Sequence, residues 1–270
     1  MSITNLLPNN YKNYPLWLTL DLEELEDANF NLIKIKNYNI DYYKIIDRWL
    51  LLCENYNIKS TIFVLGTFVE KYPDIVKKIY QSGHEIASHG YKHNLIYNES
   101  FSQWSDSINH SKKLLEDTIS DEVVGYRSPS WSLPYDNRYY DELLKAGYKY
   151  SSSYFPFKTY MYGNSTDKKE PFLIHKNSIV EIPIPKLTLP FSGGFYLRVL
   201  PTNLLKYMFN SMIKQGTKPV IYIHPYELLD ENLMSYLFSK MRFNKDYILA
   251  TFTTSKPNNK IQNILSEVLK

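Results

Sequence analysis

The stretch Glu85-Ile86-Ala87-Ser88-His89-Gly90-Tyr91-Lys92-His93 joins a short apolar segment to two histidines spaced four residues apart. Residues 85–87 predict a buried strand. If the chain turns helically after this strand, His89 and His93 share one face, and their imidazoles can then bind one metal ion. The spacing alone leaves the alternative of two surface histidines in a loop. A metal also needs a third ligand, which must come from another part of the chain.

Strand-like and helix-like segments alternate on both sides of this stretch. Apolar runs predict strands at residues 16–20, 61–65, 85–87, 123–126, 179–182 and 220–223. Helical spacing of apolar residues predicts helices at residues 42–56, 69–81, 101–118 and 137–146. This alternation is typical of an α/β fold with parallel strands and crossover helices. Residues 152–190 contain five prolines and predict a loop-rich segment.

The composition excludes several classes of protein. Hydrophobic residues make up 44% of the 270 residues, which supports a sizeable core and is unlike a disordered chain. Lysine and arginine total 31 against 28 aspartates and glutamates, and a net charge of +3 without a basic cluster predicts no nucleic-acid partner. The longest apolar runs fall well short of about 18 residues, so we expect no membrane span. No shift in composition marks a boundary, so we expect one domain over residues 1–270.

The amino-terminal residues and the cysteine content indicate a compartment. Residues 1–10 lack the basic start and long apolar stretch of a secretory signal. Cys53 is the only cysteine in the sequence, so no internal disulfide can form. From these two observations we expect a cytoplasmic protein.

A group of acidic residues directly follows the predicted strand at residues 16–20. In the sequence Asp21-Leu22-Glu23-Glu24, strand alternation aims Asp21 and Glu23 to one side and Leu22 to the other. One carboxylate could then bind the metal ion while the other acts as a base. The alternative is an acidic first turn of a helix, a position that also favours carboxylates.

Two further polar residues follow predicted strands. Arg127 comes directly after residues 123–126, and His224 comes directly after residues 220–223. In parallel α/β folds, functional groups gather at the carboxyl ends of the strands. The four residues that share this position predict a single site: Asp21, His89, Arg127 and His224.

Six stretches of the chain together carry a family resemblance. They are residues 18–24, 83–93, 125–131, 147–153, 191–198 and 221–225. In this order they resemble the polysaccharide deacetylases with a NodB-homology domain, which form carbohydrate esterase family 4. The match is closest to the branch found in exosortase and capsule-type gene clusters, and it extends from about residue 16 to residue 226.

The resemblance implies a fold, an activity and a set of roles. The fold would be a distorted (β/α) barrel with seven or fewer complete strand–helix units. The activity would be that of a metal-dependent hydrolase, usually with zinc, that removes the N-acetyl group from an amino sugar in a glycan or glycan precursor. By position, His89 and His93 would bind the metal, Asp21 would be the general base, Arg127 would hold Asp21, and His224 would be the general acid.

The chain departs from the family pattern at two places. Many members carry two adjacent aspartates in the first motif, whereas here Leu22 takes the place of the second. We therefore assign Glu23 as the third metal ligand, with Glu24 as the second choice. Ser151 stands where relatives often carry an aspartate that orients the acid histidine, so the residue that tunes His224 is left open.

Further residues in the matching stretches are candidates for contact with a sugar. Gly193 and Gly194 would let the backbone pass close to the substrate, with a plain turn as the alternative. Tyr91 and Trp131 would stack on a sugar ring, with core packing as the alternative. A backbone N–H near Gly90 or Tyr91 would stabilise the oxyanion.

Two other functions compete with deacetylation of an N-acetylated glycan. The first is hydrolysis of a cyclic amide on the same fold. Several relatives with that activity lack the metal ligands, so the presence of His89 and His93 argues against it. The second is a non-catalytic carbohydrate-binding protein with a degenerate site, an alternative supported by the altered acidic motif and by Ser151.

Overall fold

One sheet organises the part of the chain that the computed structural model describes, namely residues 2–27, 40–155, 168–174, 179–187, 191–229 and 257–269. Its eight strands are β1 (Trp17–Leu22), β2 (Thr61–Val64), β3 (Glu85–Ser88), β4 (Gly125–Tyr126), β5 (Tyr150–Ser151), β6 (Phe172–Ile174), β7 (Ile179–Glu181) and β8 (Val220–Ile223). Their order across the sheet is β6-β7-β5-β4-β3-β2-β1-β8. Only β6 runs antiparallel to its neighbour β7, so the other seven strands share one direction.

Helices connect these strands in the way that the alternating pattern predicts. Before β1 lie α1 (Ile3–Leu6) and α2 (Asn9–Asn13), and between later strands lie α3 (Tyr42–Asn55), α4 (Gly66–Lys71), α5 (Pro73–Gln81), α6 (Phe101–Ile119), α7 (Asn137–Lys145), α8 (Gly194–Val199) and α9 (Thr202–Lys214). Helix α10 (Pro257–Val268) comes last among the described residues. The prediction of a single helix at residues 69–81 is wrong. Two helices occupy this region because Pro73 cannot continue a helix and instead starts a new one.

The sheet is curled, and its inner face encloses one cluster of side chains. Trp17 of β1 belongs to this inner cluster, whereas Leu18 and Leu20 pack in a second cluster with the helices. The ring centroid of Trp17 lies 6.3 Å from that of Tyr150, although β2, β3 and β4 separate their strands in the sheet. The carboxyl ends of the strands therefore surround one mouth. The predicted distorted (β/α) barrel is confirmed.

Two short strands escaped prediction. Strand β5 contains two residues, too few to show a hydrophobic period, and β6 lies in the segment expected to be loop-rich. Both are held by pairing with other strands, β5 with β4 and β7, and β6 with β7. The described strands from both halves of the chain share this sheet, and one domain over residues 1–270 stays a prediction. Among the described helices, none has the length and apolar character needed to cross a bilayer.

The start of α6 is fixed by a capping box. The Ser100 hydroxyl accepts a hydrogen bond from the Gln103 backbone N–H, and the Gln103 side chain accepts one from the Ser100 backbone N–H. Each bond satisfies an N–H group that the helix itself cannot pair. Helix α6 connects β3 to β4, so this cap stabilises the connection between two strands whose ends carry predicted site residues.

We expect Ser100→Ala to lower the free energy of unfolding by about 1 kcal/mol, because it removes the cap. Ser102, exposed in the same helix, provides the matched control. Its substitution by Ala should change that free energy by less than about 0.5 kcal/mol. Urea denaturation of the two variants and the parent measures both values. Equal unfolding midpoints for the two variants would contradict the capping role.

Candidate functional site

The four residues predicted to converge do so at the mouth of the barrel. Asp21 lies at the end of β1, His89 directly follows β3, Arg127 follows β4, and His224 follows β8. Strands β8, β1, β2, β3 and β4 are consecutive neighbours in the curled sheet. Their carboxyl ends therefore bring residues from both ends of the sequence into one site.

Three of the predicted ligands form a compact group. One donor atom each from Glu23, His89 and His93 lies within 4.8 Å of the others. The turn that brings the two histidines together is not helical, in contrast to the conditional prediction. Gly90 between them has φ of 84°, a left-handed conformation that favours glycine, and the ring centroids of His89 and His93 lie 5.4 Å apart.

Both histidines are in the neutral form, in which a ring nitrogen can donate a lone pair to a metal ion. Nδ1 of His89 lies 2.8 Å from the Arg127 carbonyl oxygen, so this nitrogen donates its proton there and Nε2 keeps the lone pair. Burial lowers the pKa of His89 to about 4 and that of His93 to about 3. Both rings are therefore neutral at pH 7, as metal ligation requires.

Glu23 supplies a buried carboxylate whose environment fits a cation. Its Oε2 lies 3.1 Å from His93 Nε2, yet this oxygen accepts no hydrogen bond from the described residues. Burial, together with the charge of Asp21, raises the pKa of Glu23 to about 8, although His224 acts in the opposite direction. A cation between the carboxylate and the imidazoles would satisfy these donor atoms and offset the cost of burying the charge.

Glu24, the second choice for the third ligand, is engaged elsewhere. Its carboxylate oxygens accept hydrogen bonds from Lys71 Nζ at 2.7 Å and from the Tyr72 hydroxyl at 3.1 Å. Glu23, which follows the last residue of β1, thus belongs to the group, and Glu24 lies outside it.

Asp21 is held beside this group by Arg127. Nη1 of Arg127 donates to Asp21 Oδ1 at 2.6 Å and to the Thr19 hydroxyl at 2.9 Å, while Nη2 donates to the Ser152 hydroxyl at 3.1 Å. The guanidinium also lies 4.0 Å from the centroid of the Phe63 ring. Burial alone would raise the pKa of Asp21, but the charges of Arg127, His89 and His224 and the hydrogen bond from Arg127 together outweigh it and hold the pKa below its ordinary value. Asp21 is therefore ionised at neutral pH.

His224 faces the same site from the neighbouring strand. Its Nε2 lies 4.0 Å from Glu23 Oε1, and its Nδ1 lies 3.2 Å from Glu227 Oε2. The ring stacks on Tyr226 with centroids 4.8 Å apart. Burial would lower the pKa of His224, but the hydrogen bond and charge of Glu227, with the charges of Glu23 and Asp21, raise it to about 9. The imidazole is therefore protonated at neutral pH.

Glu227 and Arg198 are site residues that the sequence reasoning missed. Glu227 is buried, accepts the backbone N–H of His224 at 2.6 Å, and forms an ion pair with Arg198. The available signal was the spacing His224-Pro225-Tyr226-Glu227, in which the acid is the third residue of a 3₁₀ turn capped by His224. Ser151, whose position left the tuning of His224 open, donates instead to the Ser153 hydroxyl at 2.9 Å.

The two glycines predicted to admit substrate make room for protein side chains. A Cβ at Gly193 would lie 2.1 Å from the ring of Tyr222, and one at Gly194 would lie 2.3 Å from the Glu227 carboxylate. Both glycines are buried. Their predicted contact with substrate is therefore corrected: the close approach is to Tyr222 and Glu227.

The predicted aromatic contacts with a sugar are not supported either. Trp131 is only 7% exposed and packs against Phe155 and Tyr222, with ring centroids at 5.0 and 4.5 Å. The alternative of core packing is correct for this residue. Tyr91 donates from its hydroxyl to Glu70 at 3.1 Å, and its ring lies 4.7 Å from that of His110, so it packs on α4 and α6.

The backbone groups predicted to stabilise the oxyanion are already hydrogen-bonded. The Gly90 N–H donates to the Ser88 hydroxyl at 3.1 Å, and the Tyr91 N–H donates to the Ser107 hydroxyl at 3.2 Å. Ser88 in turn lies 2.6 Å from the Ser111 hydroxyl. These bonds fix the turn that carries the two histidines, and a role of the two N–H groups as oxyanion donors stays a prediction.

Two family models match adjacent parts of the chain. Residues 39–151 match the model described as polysaccharide deacetylase, and residues 152–268 match a domain of unknown function, DUF3473. Among curated proteins, the peptidoglycan deacetylase of Helicobacter pylori is 32% identical over 108 residues. This match covers 40% of the chain and 36% of the relative, so it spans about a third of the length of that protein.

Solved structures share the fold. A Mycobacterium smegmatis protein described as a polysaccharide deacetylase aligns with a TM-score of 0.54 and 21% identity, over 78% of this chain and 72% of that one. PuuE allantoinase aligns with a TM-score of 0.55 and 15% identity, over 91% and 93% of the two chains. Residues 39–151 thus match the polysaccharide deacetylases, which supports the resemblance to the NodB-homology type, carbohydrate esterase family 4. The closer likeness of the chain to the exosortase and capsule-cluster branch stays a prediction.

Adjacent glutamates provide a direct test of the ligand assignment. Loss of a partner that only orients a ligand costs about 10–100-fold in metal affinity, so Glu23→Gln should weaken binding by more than about 100-fold. Glu24→Gln should bind metal as the parent does, because Glu24 contacts Lys71 and Tyr72 instead. Titration calorimetry with zinc, after removal of metal by a chelator, measures both affinities. Equal losses in the two variants, or a loss only in Glu24→Gln, would contradict the assignment.

Proposed function

We propose that the protein hydrolyses the N-acetyl amide of an amino sugar in a glycan or glycan precursor, releasing acetate and a free amine. The observation that carries this proposal is the arrangement around one buried point: neutral His89 and His93 with Glu23, ionised Asp21 on one side, and protonated His224 on another. Hydrolysis of an amide needs a base for the water and an acid for the departing nitrogen. The match of residues 39–151 to the polysaccharide deacetylase model supports the same reaction.

Zinc is the cation that we propose for the site. The donor set of two imidazole nitrogens and one carboxylate oxygen is one that catalytic zinc uses, with a further position left for water or substrate. A divalent cation bound there would polarise the acetyl carbonyl and lower the pKa of a water from about 15.7 towards about 7. Glu23, His89 and His93 would hold it.

Asp21 has the protonation state and the support of a general base. Its carboxylate is ionised, and Arg127 binds Oδ1, so Oδ2 is the oxygen that would accept the proton of the attacking water. The bond from Arg127 also fixes the orientation of the carboxylate. Since Arg127 is itself held by Thr19 and Ser152, the base has little freedom to turn away from the water.

His224 has the properties of the acid. Its pKa of about 9 keeps the ring protonated at pH 7, and Nδ1 is occupied by Glu227. Nε2 is then the nitrogen that donates a proton to the amine as the C–N bond breaks. This nitrogen lies 4.0 Å from Glu23 Oε1, so the acid and the predicted metal ligands face the same small space.

The two competing functions have less support. The likeness to PuuE allantoinase, at 15% identity, shows the fold alone, and the family match is to the polysaccharide deacetylases. A degenerate binding protein would have no use for a buried arrangement of ionised Asp21 and protonated His224, because burying charges costs free energy. The cytoplasmic location expected from the sequence stays a prediction.

Acetate release from N-acetylglucosamine oligomers tests the proposed function. We expect zinc-dependent release that a chelator abolishes, with no hydrolysis of allantoin in parallel. Asp21→Asn should retain metal and lose turnover by about 10²–10⁴-fold, because the amide can still accept the bond from Arg127 but cannot take a proton. Enzymatic acetate assay and elemental analysis provide the two readings. Full turnover by Asp21→Asn, or release that survives the chelator, would contradict the mechanism.

The protonation state of His224 predicts a pH dependence. The pKa of this imidazole is raised, so the acid is present at neutral pH and is lost as the pH rises through about 9. We therefore expect kcat for acetate release to fall on the alkaline side as His224 deprotonates. In His224→Ala the residual rate should show no such fall. An identical alkaline limb in parent and variant would show that another group is responsible.

A further inference from the structure

We propose that Glu227, fixed by Arg198, is the positioning residue for the acid His224. This inference rests on the proposed function, in which His224 donates the proton to the departing amine. It assigns a role to two residues of the segment that matches the domain of unknown function, residues 152–268.

The contacts of Glu227 set the orientation of the imidazole. Oε2 of Glu227 accepts the backbone N–H of His224 at 2.6 Å and lies 3.2 Å from its Nδ1. One oxygen thus binds both the main chain and the ring of the same residue. Because Nδ1–H is held there, Nε2 is the nitrogen turned towards Glu23 and the proposed reaction centre.

Arg198 holds the carboxylate in place from the other side. It forms an ion pair with Oε1 of Glu227, and both side chains are buried. A buried carboxylate requires such compensation, and the pair has little freedom to rearrange. Lys260 of α10 donates to the carbonyl oxygens of Arg198 at 3.1 Å and of Leu200 at 2.7 Å, which ties the end of α8 to the last described helix.

The shape of α8 gives an independent indication of the same role. Gly194, the first residue of α8, lies so close to Glu227 that a Cβ there would be 2.3 Å from Oε1. Only glycine leaves the space that the carboxylate occupies. Gly194→Ala therefore displaces the carboxylate without removing any charge, and it provides a second variant for the test.

Glu227 could instead serve only the fold, as the capping residue of the 3₁₀ turn Pro225–Leu228. The two roles differ in whether the effect of losing Glu227 depends on the presence of His224. A positioning residue acts through the acid, so its loss has no further effect once the acid is gone. A capping residue acts on the fold, so its loss lowers every activity of the site, with or without His224.

The first measurement compares Glu227→Gln with a partly buried carboxylate of the same residue type. We expect kcat for acetate release from N-acetylglucosamine oligomers to fall by about 100-fold, with KM within about twofold and unchanged metal content. Glu85→Gln is the control: Glu85 lies at the start of β3 and accepts from the Thr61 and Tyr150 hydroxyls. It should leave kcat unchanged. Gly194→Ala should lower kcat in the same direction as Glu227→Gln.

A double-mutant cycle separates positioning from a structural role. In the His224→Ala background, adding Glu227→Gln should change kcat by less than about twofold. With 4-nitrophenyl acetate, whose leaving group needs no proton, His224→Ala and Glu227→Gln should both keep rates near that of the parent. A further 100-fold loss in the His224→Ala background, or an equal loss on the aryl ester, overturns the proposal.

Nitrogen-15 NMR of the histidines gives a reading that does not require turnover. The Nδ1–H signal of His224, assigned from its disappearance in His224→Ala, should resist exchange in the parent and in Glu85→Gln and be lost in Glu227→Gln. An unchanged signal in Glu227→Gln overturns the positioning role. If the signal responds as expected but the parent releases no acetate, the positioning role stands and the proposed deacetylation fails.

Discussion

The site depends on one constraint: Glu23, His89 and His93 aim electron-pair donors at a single buried point. Burial holds the imidazoles neutral and raises the pKa of the Glu23 carboxyl group to about 8, so the ionised carboxylate is costly there without a positive charge beside it. Glu23 Oε2 accepts no hydrogen bond from the described part of the chain. A divalent cation would remove this cost and, in the same place, would provide the charge that the proposed amide hydrolysis needs. Asp21 and His224 lie around this point, and their surroundings keep Asp21 ionised and His224 protonated.

The curled sheet explains how residues so distant in sequence meet. Alternation along β1 places Trp17, Thr19 and Asp21 on the inner face, and Asp21 is the last of them before the mouth. The next inward residue after Asp21 is Glu23. Arg127 then reaches from β4 to Asp21 across the inside of the curl, which a flat sheet with three intervening steps would not allow. The proposed base and the proposed metal ligands lie before residue 152, whereas His224, Glu227 and Arg198 lie in the second matched segment. Residues before the first matched segment and residues within both segments thus contribute to one site.

The sequence predicts the site residues that directly follow strands, because the position of a residue after an apolar run can be seen in the local sequence. Asp21, His89, Arg127 and His224 were found in this way, and alternation chose Glu23 over Glu24. Contacts between side chains were beyond that reasoning. Glu227 and Arg198 are 29 residues apart and meet only in the folded chain. A glycine pair indicates a close approach but not its partner, so Gly193 and Gly194 were assigned to substrate when Tyr222 and Glu227 fill the space. In the same way, the sequence does not show what the Trp131 ring contacts, and the ring packs on Phe155 and Tyr222.

The most direct test of the cation site is anomalous diffraction at the zinc edge from crystals of the protein grown with zinc. The account predicts one strong peak about 2.0–2.2 Å from a carboxylate oxygen of Glu23 and from one nitrogen each of His89 and His93. Absence of a peak at these residues, or imidazoles of His89 and His93 turned apart, would contradict it.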